Sequence, residues 1–350
     1  ELELFRDEMS FVSDSKLESL KQLGESEYLY FFINKEKETT LATYLDYSNE
    51  FLDDLNSHQL VMPKLTKDFS QSKPWFGLLT NIELEKKLNS KIETYNYLKS
   101  KNNIPSELCY VDSFADVKKA ISDGRSWILK SPFYKGGGNN RIIDEKTEEF
   151  KLSHTMVLEP YRDRVLDFAI HYNPYTKEAF DYVTLISKNA LYLGGYVFQD
   201  EIDKIIYLKS IGYLKEYQRA IAEGMEILSD YQKYPLEQCM TIDGFLYKEE
   251  GTIHSYPMCE INYRVNMGTL ISELKKQLPP RSVGQIFEPG IKKNMNLDYS
   301  FFEKLGLKKN IDYLLLSDFQ QSFISFMIIA KDISELFSKQ SVIIKAFNNE

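Results

Sequence analysis

The chain has few cysteines, and their arrangement excludes two classes of site. Its 350 residues include only three cysteines, Cys109, Cys239 and Cys259, and no two of them form a C-x-x-C pair. An odd number of scattered thiols offers neither a disulfide framework nor a cysteine-based metal site, and it is typical of a reducing compartment. We therefore expect a cytoplasmic protein.

The chain also lacks the marks of membrane, secreted and nucleic-acid-binding proteins. The longest apolar run near the C-terminus covers residues 323–330, far fewer than the roughly 20 residues that span a bilayer. The first residues are acidic, so no signal peptide is expected. Lys and Arg total 43 against 52 Asp and Glu, a net charge of −9. Without a basic stripe, binding to nucleic-acid phosphates is not expected.

Motifs for covalent and histidine-based catalysis are missing as well. The sequence contains no G-x-S-x-G nucleophile motif, and its four histidines show no metal-ligand spacing. His154 and His171 are expected to be ordinary surface or packing residues. The chemistry of this chain is therefore sought in its charged and glycine-rich segments.

The sequence does contain a mixture of helix and strand patterns. Apolar residues at intervals of three and four predict amphipathic helices over residues 81–101 and 213–231. The part after about residue 296 is expected to be mainly helical. Several antiparallel neighbours among the strands favour an α/β (α+β) fold. The predicted strands cover residues 28–33, 127–130, 155–159, 165–172, 180–186 and 191–198.

A glycine-rich loop follows one of these strands. The strand at 127–130 ends in Lys130, and Gly136, Gly137 and Gly138 follow shortly after it. Consecutive glycines allow backbone N–H groups to turn toward one anion, and the lysine adds a positive charge. The residue order is not that of a Walker loop. A flexible surface hairpin with a solvated lysine is the alternative interpretation.

A second segment combines a strand with a proline. An apolar strand ends in Glu159, Pro160 and Tyr161, and another strand begins close behind it. A strand that breaks at a proline exposes backbone groups, which can hold the edge of a flat heterocycle such as adenine. The segment taken alone is equally compatible with a plain strand–turn–strand corner.

A predicted hairpin carries the third feature. Residues 241–247 and 254–261 alternate and flank turn-forming residues. With the turn centred between them, Asp243 opposes Met258, and Glu260 lies diagonally on the same face. Such diagonal pairs have Cβ atoms about 7–8 Å apart.

Asn262 falls on this same face, and Arg264 follows two residues later. Two carboxylates and an amide oxygen can share a hard cation such as Mg²⁺, usually together with nucleotide phosphates. Arg264 would add a fixed positive charge for a developing negative one. The alternative is a solvated polar face of an edge hairpin.

The order of these features resembles the ATP-grasp superfamily over residues 90–268, about half of the chain. The stretch EINYRVNMG at residues 260–268 looks like the metal-binding E-x-N-x-R segment of that family. The full set, with KPW, NSK, LKSP and LEPY, is most similar to an uncharacterised bacterial group within it. The resemblance implies an N-terminal pre-ATP-grasp domain, a small lobe with the glycine loop, a large lobe with the Mg²⁺ site and a helical C-terminal extension. These parts are expected at residues 1–88, 89–155, 156–295 and 296–350.

The resemblance also implies roles for single residues. The lysines and glycines match contacts to phosphate, the backbone after Glu159 matches the adenine hinge, and Asp167 matches the acceptor of the ribose hydroxyls. The implied nucleotide-binding positions are Lys91, Lys130, Gly136, Gly137, Gly138, Glu159, Pro160, Tyr161 and Asp167. The implied Mg²⁺ ligands are Asp243, Glu260 and Asn262, and the implied catalytic residues are Arg264 and Lys130.

The pattern departs from the family at two positions. The glycine loop reads GGGNNR, where related sequences carry Ser and an R-G pair. Arg141 therefore does not match the family pattern for an arginine that contacts phosphate. Thr241 stands where several ligases place an arginine.

The resemblance implies an ATP- and Mg²⁺-dependent ligase. Such an enzyme joins a small-molecule carboxylate to an amine or peptide through an acyl phosphate, and it releases ADP and phosphate. Two alternatives stay open: an ATP-grasp phosphotransferase (kinase) and a non-catalytic nucleotide-binding regulatory module. No nucleic-acid or membrane partner is expected.

Overall fold

The computed structural model describes residues 28–43, 45–68, 81–101, 108–121, 124–133, 140–152, 154–186, 192–288, 298–321 and 324–349. These residues form two compact units. Unit 1 takes its described residues from 76–192 and 215–266, and unit 2 from 9–75, 193–214 and 267–350. No helix within the described ranges is long and apolar enough to cross a membrane.

The described ranges contain ten helices and fourteen strands. In chain order they are α1 (Tyr28–Ile33), β1 (Thr40–Ala42), α2 (Asn49–Ser57), β2 (Lys64–Thr66), α3 (Ile82–Asn89), α4 (Lys91–Ser100), β3 (Cys109–Val111), α5 (Phe114–Ala120), β4 (Trp127–Lys130), β5 (Arg141–Ile143), β6 (Met156–Pro160), β7 (Asp163–Asn173), β8 (Glu178–Ile186), β9 (Tyr192–Phe198), α6 (Glu201–Ser210), α7 (Leu214–Tyr231), β10 (Met240–Glu249), β11 (Thr252–Tyr263), α8 (Met267–Gln277), β12 (Val283–Phe287), α9 (Tyr299–Lys304), β13 (Tyr313–Leu315), β14 (Phe326–Ala330) and α10 (Ile333–Asn349).

Unit 2 holds a parallel pair of short strands, β1 and β2. It also holds antiparallel strands in the order β9, β12, β14 and β13. The close approach of β9 to β12 requires a glycine at residue 194, because a Cβ there would lie 1.9 Å from the Ile286 carbonyl oxygen.

Unit 1 contains a small antiparallel sheet with the strand order β3, β6, β4 and β5. Side chains alternate across a strand, so Trp127 and Leu129 of β4 share one face. That face packs in a core cluster with Val117 and Ile121 from α5 and its end. The same alternation places Lys130 on the opposite face, where its side chain is buried.

The second group of strands in unit 1 is antiparallel in the order β11, β10, β7 and β8. Helix α7 covers one face of it: the rings of Phe168 and Tyr217 lie 5.7 Å apart, and Gly224 lies against Ile170. Alternation along β7 directs the intervening side chains, Asp167 among them, to the other face. The candidate site lies on that face.

The hairpin of β10 and β11 changes register at a bulge. Phe245 pairs with Tyr256 and Asp243 pairs with Glu260, with one residue of β10 and three residues of β11 between these pairs. The extra stretch of β11 begins at Pro257, which cannot donate a ladder hydrogen bond. The predicted pairing of Asp243 with Met258 is therefore wrong, and the two carboxylates oppose each other directly rather than diagonally.

Most of the predicted elements are confirmed within a few residues, with three differences. Residues 28–33 form helix α1 instead of a strand, since a short apolar run fits both. The single helix predicted over 81–101 is divided at Ser90, which caps α4. The part after residue 296 contains β13 and β14 as well as α9 and α10. The predicted domain boundaries stay a prediction.

A substitution at Gly244 tests how much the bulge contributes to stability. A Cβ at this position would lie 2.6 Å from the Phe168 ring and 2.8 Å from the Pro257 carbonyl oxygen. Gly244→Ala should therefore lower the free energy of unfolding by about 1–3 kcal/mol, measured by urea denaturation. Lys248→Ala, on an exposed position of the same strand, is the control and should stay within about 0.5 kcal/mol of wild type. Equal stability of both variants would show that the bulge has room for a side chain.

Candidate active site

The site begins at the junction of α3 and α4. The Ser90 hydroxyl caps α4 by accepting a hydrogen bond from the Glu93 N–H at 3.4 Å. Lys91, the first residue of α4, is 3% exposed, and its N–H donates to the Pro132 carbonyl at 2.9 Å. A helix N-terminus carries free N–H groups and a partial positive charge. Lys91 adds a full charge there, which suits an anion such as phosphate.

Asn89 connects this junction to the end of β11. Its Oδ1 accepts hydrogen bonds from the Tyr263 N–H at 2.9 Å and from Arg264 Nη1 at 3.0 Å. Its Nδ2 donates to the Tyr263 carbonyl at 3.2 Å. Two residues later, Lys91 Nζ lies 3.2 Å from Glu260 Oε1. The NSK segment thus meets the EINYR segment in space, and Asn89 is a site residue that the sequence reasoning missed.

Lys130 and Glu159 form a buried ion pair between β4 and β6. The second carboxylate oxygen accepts hydrogen bonds from the Tyr95 hydroxyl at 2.5 Å and the Tyr256 hydroxyl at 3.3 Å. Burial by itself raises the pKa of Glu159, but the charge of Lys130 and the hydrogen bonds from Lys130 and Tyr95 hold that pKa below 4.5. The ionised carboxylate therefore fixes the position of the Lys130 ammonium group.

The hinge residues Pro160 and Tyr161 differ in part from the expectation. Pro160 has no N–H and pairs with Trp127 across the sheet. The N–H of Tyr161 donates to the Ser126 carbonyl at 2.9 Å. These two residues therefore contribute no N–H donor to an adenine edge, and a contact at this point has to use their carbonyl groups.

Asp167 lies on β7 and pairs with Arg164, whose Nη1 donates to its Oδ1 at 2.8 Å. The guanidinium of Arg164 also lies 4.0 Å from the centroid of the Phe245 ring. Burial raises the pKa of Asp167 above its usual value, and Arg164 opposes this rise. Strict alternation would place residues three apart on opposite faces, but the register of β7 shifts opposite Leu246 and Tyr247. For this reason the sequence pattern did not reveal Arg164.

Asp243 and Glu260 face each other across β10 and β11. Burial, followed by the negative charge of Glu260, raises the pKa of Asp243 to about 8, whereas Arg264 and Lys91 lower it. Two neighbouring carboxylates that are partly shielded from water repel each other. A divalent cation bound by their oxygens relieves that repulsion. The donor chemistry of this pair fits Mg²⁺.

Asn262 does not present its amide oxygen to the two carboxylates. Its Nδ2 donates to Asp243 Oδ2 at 2.7 Å, and its Oδ1 accepts a hydrogen bond from Arg264 Nη2. Within the described ranges, no group of three or more His, Cys, Asp or Glu side chains could hold a metal ion. The protein therefore offers two carboxylates, and further ligands have to come from a bound phosphate or from a rotated Asn262 amide.

The register of β10 orders these groups along one line. Asp167 pairs with Phe245, and Asp243, two residues further along β10, pairs with Ala169. Two residues of an antiparallel strand span about 7 Å, which separates the Asp167 position from the carboxylate pair.

The predicted glycines 136–138 lie outside the described residues. The remaining predicted site residues all belong to unit 1.

No protein-family model matches the chain, and no curated protein matches it in sequence. Solved structures do match. An N5-carboxyaminoimidazole ribonucleotide synthetase in complex with ADP is 12% identical, with 97% of this chain and 86% of that chain covered and a TM-score of 0.50. The corresponding synthetase from Staphylococcus aureus with ADP is 13% identical (73% and 70% covered, TM-score 0.47). A phosphoribosylamine–glycine ligase from Thermotoga maritima is 10% identical (89% and 92% covered, TM-score 0.44). At these identities the likeness concerns the fold alone.

Substitutions of Lys130 and Glu159 test how much this buried ion pair contributes to stability. Glu159→Gln leaves the Lys130 ammonium buried without a counter-charge, so the free energy of unfolding at pH 7 should fall by about 3–5 kcal/mol. Lys130→Met combined with Glu159→Gln removes both charges and should recover most of that loss. Urea denaturation gives the free energy of unfolding of wild type, of Glu159→Gln and of the double variant. A double variant no more stable than Glu159→Gln would contradict the pairing.

The same pair predicts a pH dependence. The pKa of Glu159 is lower in the folded protein than its usual value of 4.5, so its contribution to stability is present above that value and is lost as the pH falls through the lowered pKa. The stability of wild type relative to the double variant should therefore decrease in acid. A difference that grows in acid would argue against an ionised Glu159.

Proposed function

We propose that this chain, which has the ATP-grasp fold, is an ATP-dependent ligase that joins a carboxylate to an amine. The observation that carries the proposal is a group of charged side chains in unit 1, in which Lys91 pairs with Glu260 and Glu260 lies opposite Asp243. The group consists of Lys91, Lys130, Asp167, Asp243 and Glu260, at positions where the ATP-grasp resemblance implies a nucleotide. The structure matched at a TM-score of 0.50 contains ADP, which supports ATP as the substrate.

The first half of the reaction activates the carboxylate. A carboxylate is a poor electrophile, so transfer of the terminal phosphoryl group of ATP converts it to an acyl phosphate. Lys91 and Lys130 supply buried positive charges for the phosphate oxygens, which stabilise the charge that builds up during transfer. Glu260 and Glu159 hold these lysines in place before the nucleotide arrives. Asp167 accepts hydrogen bonds from the ribose hydroxyls.

Asp243 and Glu260 would hold Mg²⁺ at the phosphates, and the bound ion would offset phosphate charge. Binding of the nucleotide and binding of the metal are expected to depend on each other, because two carboxylates leave most of the oxygen ligands to the phosphates.

In the second half the amine attacks the carbonyl carbon of the acyl phosphate. A C–N bond forms, the C–O bond to phosphate breaks and its electron pair leaves with inorganic phosphate, and the nitrogen releases a proton to the solvent. Arg264 is placed to stabilise the oxyanion that develops on the carbonyl oxygen. No side chain acts as a nucleophile, which agrees with the missing nucleophile motif.

Trapping of the acyl phosphate tests the reaction class. Incubated with ATP, MgCl₂ and a pool of amino acids and small carboxylates, the protein should release ADP, and added hydroxylamine should yield hydroxamate. ADP release without hydroxamate would indicate a phosphorylated alcohol and hence a kinase. ATP that binds but is never consumed would indicate a regulatory module. Either result would contradict the ligase.

Glu260→Gln tests the carboxylate pair. The substitution removes one cation ligand and the partner of Lys91, so ATP turnover should fall by at least about 100-fold, and the affinity for ADP should lose its dependence on Mg²⁺. Glu250→Gln, an exposed position in the turn of the same hairpin, is the matched control and should behave as wild type. Turnover like wild type in folded Glu260→Gln would remove Glu260 from the site.

A further inference from the structure

A buried histidine lies beside the site and takes no part in the steps above. His171, on β7, is 2% exposed, and its Nδ1 lies 3.2 Å from Thr241 Oγ1 on β10. Its ring also hydrogen-bonds the Asn266 side chain. One imidazole thus connects β7, β10 and the segment that follows β11. Thr241 is two residues from Asp243 and pairs with Asn262 across the hairpin.

Asn266 extends this connection to Arg264. Its Nδ2 donates to the Arg264 carbonyl at 2.9 Å and to the Asn262 carbonyl at 3.3 Å. The guanidinium of Arg264 is held separately by the side chains of Asn89 and Asn262. The backbone of Arg264 therefore depends on Asn266, and its head group depends on two asparagines.

The imidazole of His171 is suited to a fixed, uncharged link. Burial lowers the pKa of His171 to about 4, although the hydrogen bond to Asn266 opposes this effect, so the ring is neutral near pH 7. A neutral imidazole has one donor and one acceptor, which matches its two neighbours. Leucine would fill a similar space and satisfy neither neighbour, whereas glutamine retains both a donor and an acceptor.

We propose that His171 is a positioning residue that, through Asn266 and Thr241, holds the segment after β11 so that Arg264 points at the reacting carbonyl group. The inference rests on the proposed function, because Arg264 has its catalytic role only in that reaction. It assigns His171 an active part in the site, in contrast to the packing role expected from the sequence.

Steady-state kinetics of five variants test this role. His171→Leu should lower kcat by about 10–100-fold and leave KM for ATP within about three-fold, because Lys130 and Asp167 are unaffected. His171→Gln should restore most of the loss. Phe180→Leu, which alters a ring 5.1 Å from His171 without touching its hydrogen bonds, should leave kcat close to wild type. If Phe180→Leu lowered kcat as much as His171→Leu, His171 would have only a packing role and the proposal would be wrong.

The fourth variant is Asn266→Ala, and the fifth combines it with His171→Leu. Asn266→Ala removes the side chain through which His171 acts, so the double variant should lose little more kcat than Asn266→Ala alone. A loss equal to the product of the two single effects would show that the residues act independently, and it would overturn the proposal.

Hydrogen–deuterium exchange supplies a readout that needs no activity. In the protein without nucleotide, His171→Leu should speed amide exchange in residues 262–266 by about ten-fold or more, and exchange in residues 156–160 should stay unchanged. Phe180→Leu should alter neither segment, and His171→Gln should return residues 262–266 toward wild type. Unchanged exchange in residues 262–266 of folded His171→Leu would overturn the proposal. Absence of ATP turnover in wild type would contradict only the proposed function, since the exchange result stands apart from it.

Discussion

The register of β10 against β11 is the constraint on which the site depends. The bulge beginning at Pro257 brings Asp243 opposite Glu260, and Gly244 permits it because any side chain there would meet Phe168 and the Pro257 carbonyl. A slip of one residue would turn the acidic side chains to the opposite face, toward α7. A packing detail at one glycine therefore decides which carboxylates meet.

A second constraint on the site is that three of its cations pair with carboxylates, whereas Arg264 is held by Asn89 and Asn262. Removing charges from water is costly, and a pair with good geometry and additional hydrogen bonds offsets part of that cost. Such pairs hold the cations in fixed positions before any ligand binds, so little reorganisation is left for the reaction itself. A nucleotide phosphate would then replace or join the carboxylate as the partner of the lysines. The three pairs are Lys91 with Glu260, Lys130 with Glu159 and Arg164 with Asp167.

The sequence predicted the fold, and most residues of the candidate site had been singled out from short-range patterns. The ATP-grasp fold expected from the motif order is confirmed. Residues whose roles arise from register or from distant contacts were missed. Arg164 meets Asp167 only because β7 shifts its register, and Asn89 meets Arg264 from a separate helix. His171 was expected to be an ordinary surface or packing residue, and its contacts were missed because Thr241 and Asn266 are distant in the sequence.

A crystal structure with ADP and Mg²⁺ tests the central claim most directly. The account predicts the ribose hydroxyls on Asp167, the phosphates within hydrogen-bond distance of Lys130 and Lys91, and the ion between Asp243 and Glu260. An ADP molecule bound elsewhere, or bound without contact to Lys130 and Asp167, would contradict it.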